Sequence, residues 1–144
     1  MSIERVEKKH LPSIAELEKL CFSTPCSSEA LAFLLSDAEF GMASVENGEV
    51  CSYAGLAIAL DEGEILNVAT HPHHRRQGHA KRVLLALMEE AGRRGLNRLT
   101  LEVRASGLAA QNLYASLGFT VCGTRKGFYR FPHEDALIME KVLI

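Results

Sequence analysis

Between Ile65 and Arg104 the sequence changes its hydrophobic period twice, and that restricts the fold more than any other feature. Ile65 to Thr70 is a short apolar run that stops at His71-Pro72, where proline removes a backbone donor. Beginning near Gly78, the residues Ala80, Val83, Leu84, Leu87, Met88 and Ala91 recur at helical spacing. Lys81, Arg82, Glu89, Glu90, Arg93 and Arg94 stay polar, and Gly95 closes the helix. Leu99, Leu101 and Val103 then alternate with Thr100, Glu102 and Arg104, the period of a strand. A helix joining two strands is a βαβ crossover, so local parallel pairing is expected in an α/β architecture.

The flanking segments add a mixed sheet around that unit. Leu11 to Phe22 reads as a first helix, with Pro12 in its first turn and Ile14, Leu17, Leu20 and Cys21 on one stripe. Ser27 or Ser28 can cap a second, short helix in which Leu31, Leu34 and Leu35 share a face. Phe40 to Leu60 reads as an antiparallel pair turning at Asn47-Gly48, and Glu62-Gly63 supplies another turn. Ser106 can cap a helix carrying Ala110, Leu113 and Leu117 up to Gly118. Strands over Phe119–Thr124 and Ala136–Val142 complete the sheet. With 144 residues and no repeat or linker, a single domain over 1–144 is expected.

Composition removes several function classes. Sixteen Lys and Arg balance eighteen Asp and Glu for a net charge of −2, which gives no broad positive field for nucleic acid. No run reaches the ~18 apolar residues of a membrane span, and the N-terminus lacks a signal-peptide pattern, so a cytoplasmic location without membrane contact is expected. Cys21, Cys26, Cys51 and Cys122 form no C-x-x-C pair and read as reduced thiols, mostly filling the core. His71, His73, His74 and His79 match no ligand spacing, so no metal is expected; these histidines read as exposed or beside a bound polyphosphate.

The turn Arg75-Arg76-Gln77-Gly78-His79-Ala80 is a candidate anion site. It places free N–H groups and the positive end of a helix dipole behind a small residue and two arginines. An ordinary helix start with solvated arginines fits the same spacing. The pattern Arg75-x-x-Gly78-x-Ala80 resembles the Q/R-x-x-G-x-G/A motif of the GNAT superfamily of N-acetyltransferases. Leu101-Glu102-Val103-Arg104-Ala105-Ser106, Leu113-Tyr114 and Leu117-Gly118-Phe119 resemble its RimI-like branch, whose members acetylate the N-terminal alanine of a small-subunit ribosomal protein. The likeness runs from Cys21-Phe22-Ser23-Thr24-Pro25 to Glu134-Asp135-Ala136-Leu137-Ile138-Met139.

That resemblance implies a central mixed, twisted sheet flanked by helices, with splayed strands holding acetyl-CoA as co-substrate. The main chain of Val68, Ala69 and Thr70 would hold the pantetheine and polarise the thioester, and the turn from Arg75, Arg76, Gln77 and Gly78 through His79, Ala80 and Lys81 would take the pyrophosphate. Glu102 would be the general base and Tyr114 the proton donor to the leaving thiolate. Read from residues alone, Glu102 equally suits an ion pair with Arg104 or another surface charge, and Tyr114 a half-buried packing role. The acceptor implied is a protein or peptide N-terminus, possible alternatives being a small amine, a lysine, or no acceptor in a non-catalytic acyl-CoA-binding module.

Two departures bear on the implied roles. Gly107 stands where the family pattern has an asparagine that touches the cofactor. Pro25-Cys26-Ser27 stands where the family reads Pro-Trp-Ser, so a thiol replaces an aromatic wall beside the acceptor.

Overall fold

The computed structural model describes residues 1–143. Among these, seven strands form one sheet: β1 (Ser2–Arg5), β2 (Glu39–Glu46), β3 (Glu49–Ala59), β4 (Glu62–Thr70), β5 (Arg98–Arg104), β6 (Thr120–Arg130) and β7 (His133–Val142). Their order is β1-β2-β3-β4-β5-β7-β6. The sheet is antiparallel except at β4–β5, where the expected parallel crossover occurs. Three α-helices accompany it: α1 (Leu11–Cys21), α2 (His79–Arg93) and α3 (Leu108–Ser116).

Both faces of the sheet are packed, because successive strand side chains point to opposite sides. On one, Val83, Leu84, Leu87 and Ala91 of α2 meet Phe40, Ala54, Leu56, Ile65, Leu99 and Leu101 in a cluster that continues to Tyr114, Leu117 and Phe119. On the other, Leu11, Ile14 and Leu17 of α1 meet Ala43, Val45, Val50 and Tyr53. Leu84 and Leu87 are fully sealed, each stabilising the fold by roughly 1.5–3 kcal/mol.

Several sequence expectations are corrected by this arrangement. The turn before β4 is Leu60-Asp61, with Leu60 at φ +57° and 97% exposed, and Glu62-Gly63 is already strand. Gly63 is there for packing: a Cβ would lie 2.9 Å from Leu56 Cδ1, 2.9 Å from Leu99 Cδ2 and 3.2 Å from Leu96 Cδ1. The expected second helix is a 3-10 helix over Ala30–Leu34, where Ser27 Oγ accepts from the Ala30 N–H at 3.1 Å. Ser106 does not cap α3; Gly107 takes the N-cap without a side-chain bond, and the Ser106 N–H donates to the Glu134 carboxylate. β6 and β7 extend well past the expected ends and form a hairpin reaching Arg130 and His133. Cys122 is exposed rather than core filler, whereas Cys51 is buried and Cys21 and Cys26 are half-buried free thiols. No helix among the described residues is long and apolar enough to cross a membrane.

Candidate active site

The site originates in a pairing that stops early. β4 and β5 are in register only at Glu62–Arg98, Gly63–Leu99 and Glu64–Thr100; beyond that the two strands part. A β-bulge on β4 accompanies the split, since Asn67 and Val68 stand opposite the single residue Ala54 of β3. Asn67 adopts φ +51°, a left-handed conformation that asparagine tolerates better than most residues, and bulges of this kind bend the strand locally. Around Val68 the main chain is therefore free of β5 on one side and of the regular ladder with β3 on the other. The Ala69 carbonyl accepts from Ser52 Oγ at 2.8 Å and the Thr70 carbonyl from Cys21 Sγ at 3.3 Å. Of the three main-chain positions singled out from sequence, Ala69 and Thr70 thus have carbonyls engaged by side chains, and Val68 lies in the bulge itself.

From this gap opens a cleft of about 810 Å³ lined by β4 from Glu64 to Val68 and by β5 from Leu101 to Arg104. Tyr114 of α3 and the tips around Cys26 and Phe131 complete its walls. Two arches meet over it: Ser23 Oγ donates to the Phe131 carbonyl at 3.0 Å. Arg104 holds the β6–β7 tip, donating to the Phe131 and Pro132 carbonyls at 3.0 Å each and to Glu134 Oε1 at 3.2 Å, with its guanidinium 4.2 Å from the Tyr129 ring centroid.

Glu102 and Tyr114 both face this cleft. The Glu102 side chain is 16% exposed, and of the partners the sequence left open, Arg104 or another surface charge, it pairs with the latter, Arg125 of β6, Nε to Oε1 at 3.2 Å. Burial raises the Glu102 carboxyl above the ordinary carboxylate range; the adjacent Glu64 adds to the shift, and Arg125 opposes it. A carboxylate of raised proton affinity in a cleft is suited to accept a proton near neutral pH. Tyr114 is 6% exposed and packs edge-on against Phe119 at 6.3 Å between centroids. Burial pushes its phenol up to about 12, with Tyr129 adding to the shift, so its proton is present throughout the neutral range.

Beyond the end of β4, the Arg75–Gly78 loop enters α2. Gly78 is the N-cap at φ +80° with no side-chain capping bond, and a Cβ there would meet nothing within 4 Å. Glycine is required by the left-handed backbone, and the space before it is open to a ligand. The Arg82 N–H is the one that bonds back to the Gly78 carbonyl, at 3.1 Å, so the N–H groups ahead of it in the first turn have no intrahelical acceptor. Arg75, Arg76, Gln77 and Lys81 are exposed around this turn, and Ala80 is partly so. His79 departs from expectation: its ring is 3% exposed and points inward, Nδ1 at 2.6 Å from Ser44 Oγ, so at the loop it can offer only its main chain.

Sequence reasoning missed Glu64 and Glu18. Glu64 falls between the expected Glu62-Gly63 turn and the strand expected from Ile65, and belongs to β4. Glu18 is buried, accepting from Tyr53 Oη at 2.6 Å and from the Cys26 N–H at 3.0 Å, and so fixes the Cys26 loop where it lines the cleft. Its only sequence signal was an acidic residue beside the apolar stripe of α1. Gly107, in place of the family asparagine, also lines the cleft, while the Gln111 amide nearby donates to the Arg104 and Ala105 carbonyls at 3.0 Å each.

Comparison with known proteins places this architecture. Residues 11–119 match the acetyltransferase (GNAT) family. The chain is 34% identical over 140 residues to the [ribosomal protein bS18]-alanine N-acetyltransferase of Escherichia coli strain K12, covering 96% of this chain and 95% of that protein. It is 32% identical over 140 residues to the protein of the same name from Haemophilus ducreyi, at 95% and 97% coverage. The crystal structure of the ribosomal-protein-S18-alanine N-acetyltransferase from Escherichia coli superposes with a TM-score of 0.90 at 33% identity, over 99% of this chain and 93% of that one. An aminoglycoside 6'-N-acetyltransferase complexed with coenzyme A shares the fold alone, at TM-score 0.86 and 15% identity over 100% and 98% of the two chains. With its split β4–β5 pair, open glycine turn and matching relatives, the chain belongs to the acetyltransferase (GNAT) family and is a RimI-like, acetyl-CoA-dependent N-acetyltransferase.

Proposed function

We propose that the protein acetylates the α-amine of a protein N-terminus, an alanine of a small-subunit ribosomal protein being the foremost candidate, by direct attack of that amine on acetyl-CoA bound at the same time. The observation that carries this reading is the convergence of Glu102, Tyr114 and the bulged stretch of β4 at Val68, past its pairing with β5, on one cleft. The curated relatives named for bS18-alanine acetylation support the choice of acceptor.

The roles follow from the local chemistry. The turn from Arg75 to Lys81 takes the pyrophosphate on its free N–H groups, Arg75 and Arg76 adding positive charge. The main chain from Val68 to Thr70 holds the pantetheine along the opened edge of β4, the Val68 N–H serving as a fixed donor to the oxygen that becomes negative when the amine adds. Glu102, through a water, takes the proton that the ammonium must lose before its nitrogen has a lone pair to attack with. Tyr114 donates a hydrogen bond to the departing sulfur. Full transfer from a phenol at about 12 to a thiolate of ordinary pKa, about 8.5, runs uphill, so its main contribution is that bond in the transition state. Cys26 and Phe131 frame the end of the cleft at which the acceptor enters.

The test is a mass-spectrometric assay with acetyl-CoA and three acceptors: a peptide with the ribosomal protein's N-terminal alanine, the same peptide with its α-amine blocked, and a panel of small amines. Acetyl mass on the first alone supports the reading. Acetylation of the blocked peptide or of small amines at equal rate overturns the acceptor assignment.

A further inference from the structure

Flanking the Arg75–Gly78 loop, among residues that do not line the cleft, four side chains from three segments converge: Glu46 at the end of β2, Cys51 in β3, and His74 and His79 on either side of the loop. One donor atom from each lies within 4.8 Å of the others. Cys51 Sγ donates at 3.8 Å, a long sulfur hydrogen bond, to Glu46 Oε2, and His74 Nδ1 stands 3.6 Å from the same oxygen, beyond hydrogen-bond reach. His74 Nδ1 is sealed from solvent yet has no hydrogen-bond partner. Orphaned buried nitrogens of this kind ask for an explanation, and an unassigned ion is one.

The donor set is specific in its chemistry. One thiol, two imidazoles and one carboxylate are a tetrahedral set suited to zinc, whose bonds of about 2.0–2.3 Å put ligand atoms about 3.3–3.8 Å apart. Adjustments of about 1 Å, taken by the half-buried Glu46 and His74, would bring the present spacing to that range. Support from behind is in place: in the tautomer where His79 Nδ1 donates to Ser44 Oγ, Nε2 keeps its lone pair for a cation, the arrangement typical of ligating histidines. The His74 and His79 rings stand edge to face at 5.4 Å and 78°, and each brings a nitrogen within 4.8 Å of the other donors. His71 belongs elsewhere, since its Nδ1 accepts from the His73 N–H at 3.1 Å and caps the 3-10 turn.

We propose that Glu46, Cys51, His74 and His79 bind a zinc-class divalent cation that fastens both ends of the Arg75–Gly78 loop to the β2–β3 hairpin. Position gives the site its consequence: His74 immediately precedes Arg75 and His79 immediately follows Gly78. A cation bonded to both would hold the loop in its bound shape before ligand arrives, which tightens binding by lowering the ordering cost. This second step rests on the proposed role of the loop in holding acetyl-CoA; the cation site itself does not. The reading of the sequence expected no metal, because spacing along the chain cannot reveal ligands brought together by a hairpin and a loop.

The experiment uses the full chain, stripped with a chelator and titrated with Zn2+ by calorimetry and with Co2+ by absorption spectroscopy. Uptake of one equivalent, with a thiolate-to-cobalt charge-transfer band, is expected. Cys51→Ser should abolish the band, and His74→Ala should weaken Zn2+ affinity at least tenfold, with thermal unfolding of the metal-free variants confirming that they fold. No stoichiometric uptake, or uptake unchanged in both variants, would overturn the site. CoA affinity is then measured with and without Zn2+: a several-fold tighter Kd in the loaded protein supports the fastening of the loop, and equal Kd values overturn it. Absence of CoA binding under either condition would refute the cofactor role of the loop while leaving the metal titrations as they stand.

Discussion

Replacing Glu102 by Gln removes the proposed proton acceptor while keeping its shape, so it isolates chemistry from packing. General-base catalysis contributes typically 10²–10⁴-fold, and E102Q is therefore expected to lower kcat/KM by about that factor, or about 3–5 kcal/mol of transition-state stabilisation. The neighbours sharpen this further. Burial and Glu64 raise the Glu102 pKa, while Arg125, at 3.2 Å, lowers it. Glu64→Gln removes a raising influence and should move the acidic limb of the pH–rate profile to lower pH; Arg125→Ala should move it to higher pH, by a smaller amount because Arg125 is half exposed. The acceptor amine titrates identically in all variants, so the order Glu64→Gln, wild type, Arg125→Ala along the pH axis is diagnostic.

Stability supplies an independent control. A carboxyl whose folded pKa is raised binds its proton more tightly in the native state, so it favours the fold at low pH. That contribution is lost as pH rises from the ordinary carboxylate range through the raised value. Above that window the ionised Glu102 costs stability, and E102Q should melt at neutral pH no lower than the wild type. Activity is read by CoA release with a thiol reagent and stability by calorimetry. An E102Q enzyme of undiminished kcat/KM, or three superimposable pH profiles, would refute the role of Glu102.

Three further outcomes are expected. Tyr114→Phe keeps the edge-on contact with Phe119 and should lower kcat by about tenfold or more with little change in KM, because the lost hydrogen bond forms late; steady-state kinetics decides. Gly63→Ala forces a methyl to within 2.9 Å of Leu56 and Leu99 and should cost about 1–3 kcal/mol in a urea-unfolding measurement. Tyr53→Phe leaves buried Glu18 without the hydroxyl now 2.6 Å away, a loss of about 1–3 kcal/mol by the same measurement, together with a looser Cys26 loop.

The parts of the fold legible in the sequence were those with strong period. α2, with Val83, Leu84, Leu87 and Ala91 on one face, and β5, with Leu99, Leu101 and Val103 inward, occur as expected, and so does their parallel crossover. β1 has four residues, too few for alternation to register. The outer reach of the β6–β7 hairpin reads as loop because its edge strand is exposed along most of its length, so polar residues such as Arg125, Lys126 and Arg130 occupy both faces. Site residues divided similarly. Glu102 stood out as a carboxylate on an apolar strand, whereas Glu64, whose effect on it depends on β4 lying beside β5, had no local signal. The inward turn of His79 depends on Ser44, thirty-five residues away.

Donor and acceptor are expected to meet at the split between β4 and β5, with Glu102 and Tyr114 on either side of the reacting carbon. A crystal structure with a bisubstrate conjugate, CoA joined through an acetyl bridge to the alanine amine of the peptide, tests it most directly. The prediction is pyrophosphate on the Arg75–Gly78 loop, pantetheine along Val68 to Thr70, the bridge between Glu102 and Tyr114, and peptide leaving past Cys26 and Phe131. A conjugate whose bridge lies outside the β4–β5 gap, or beyond reach of both side chains, would contradict it.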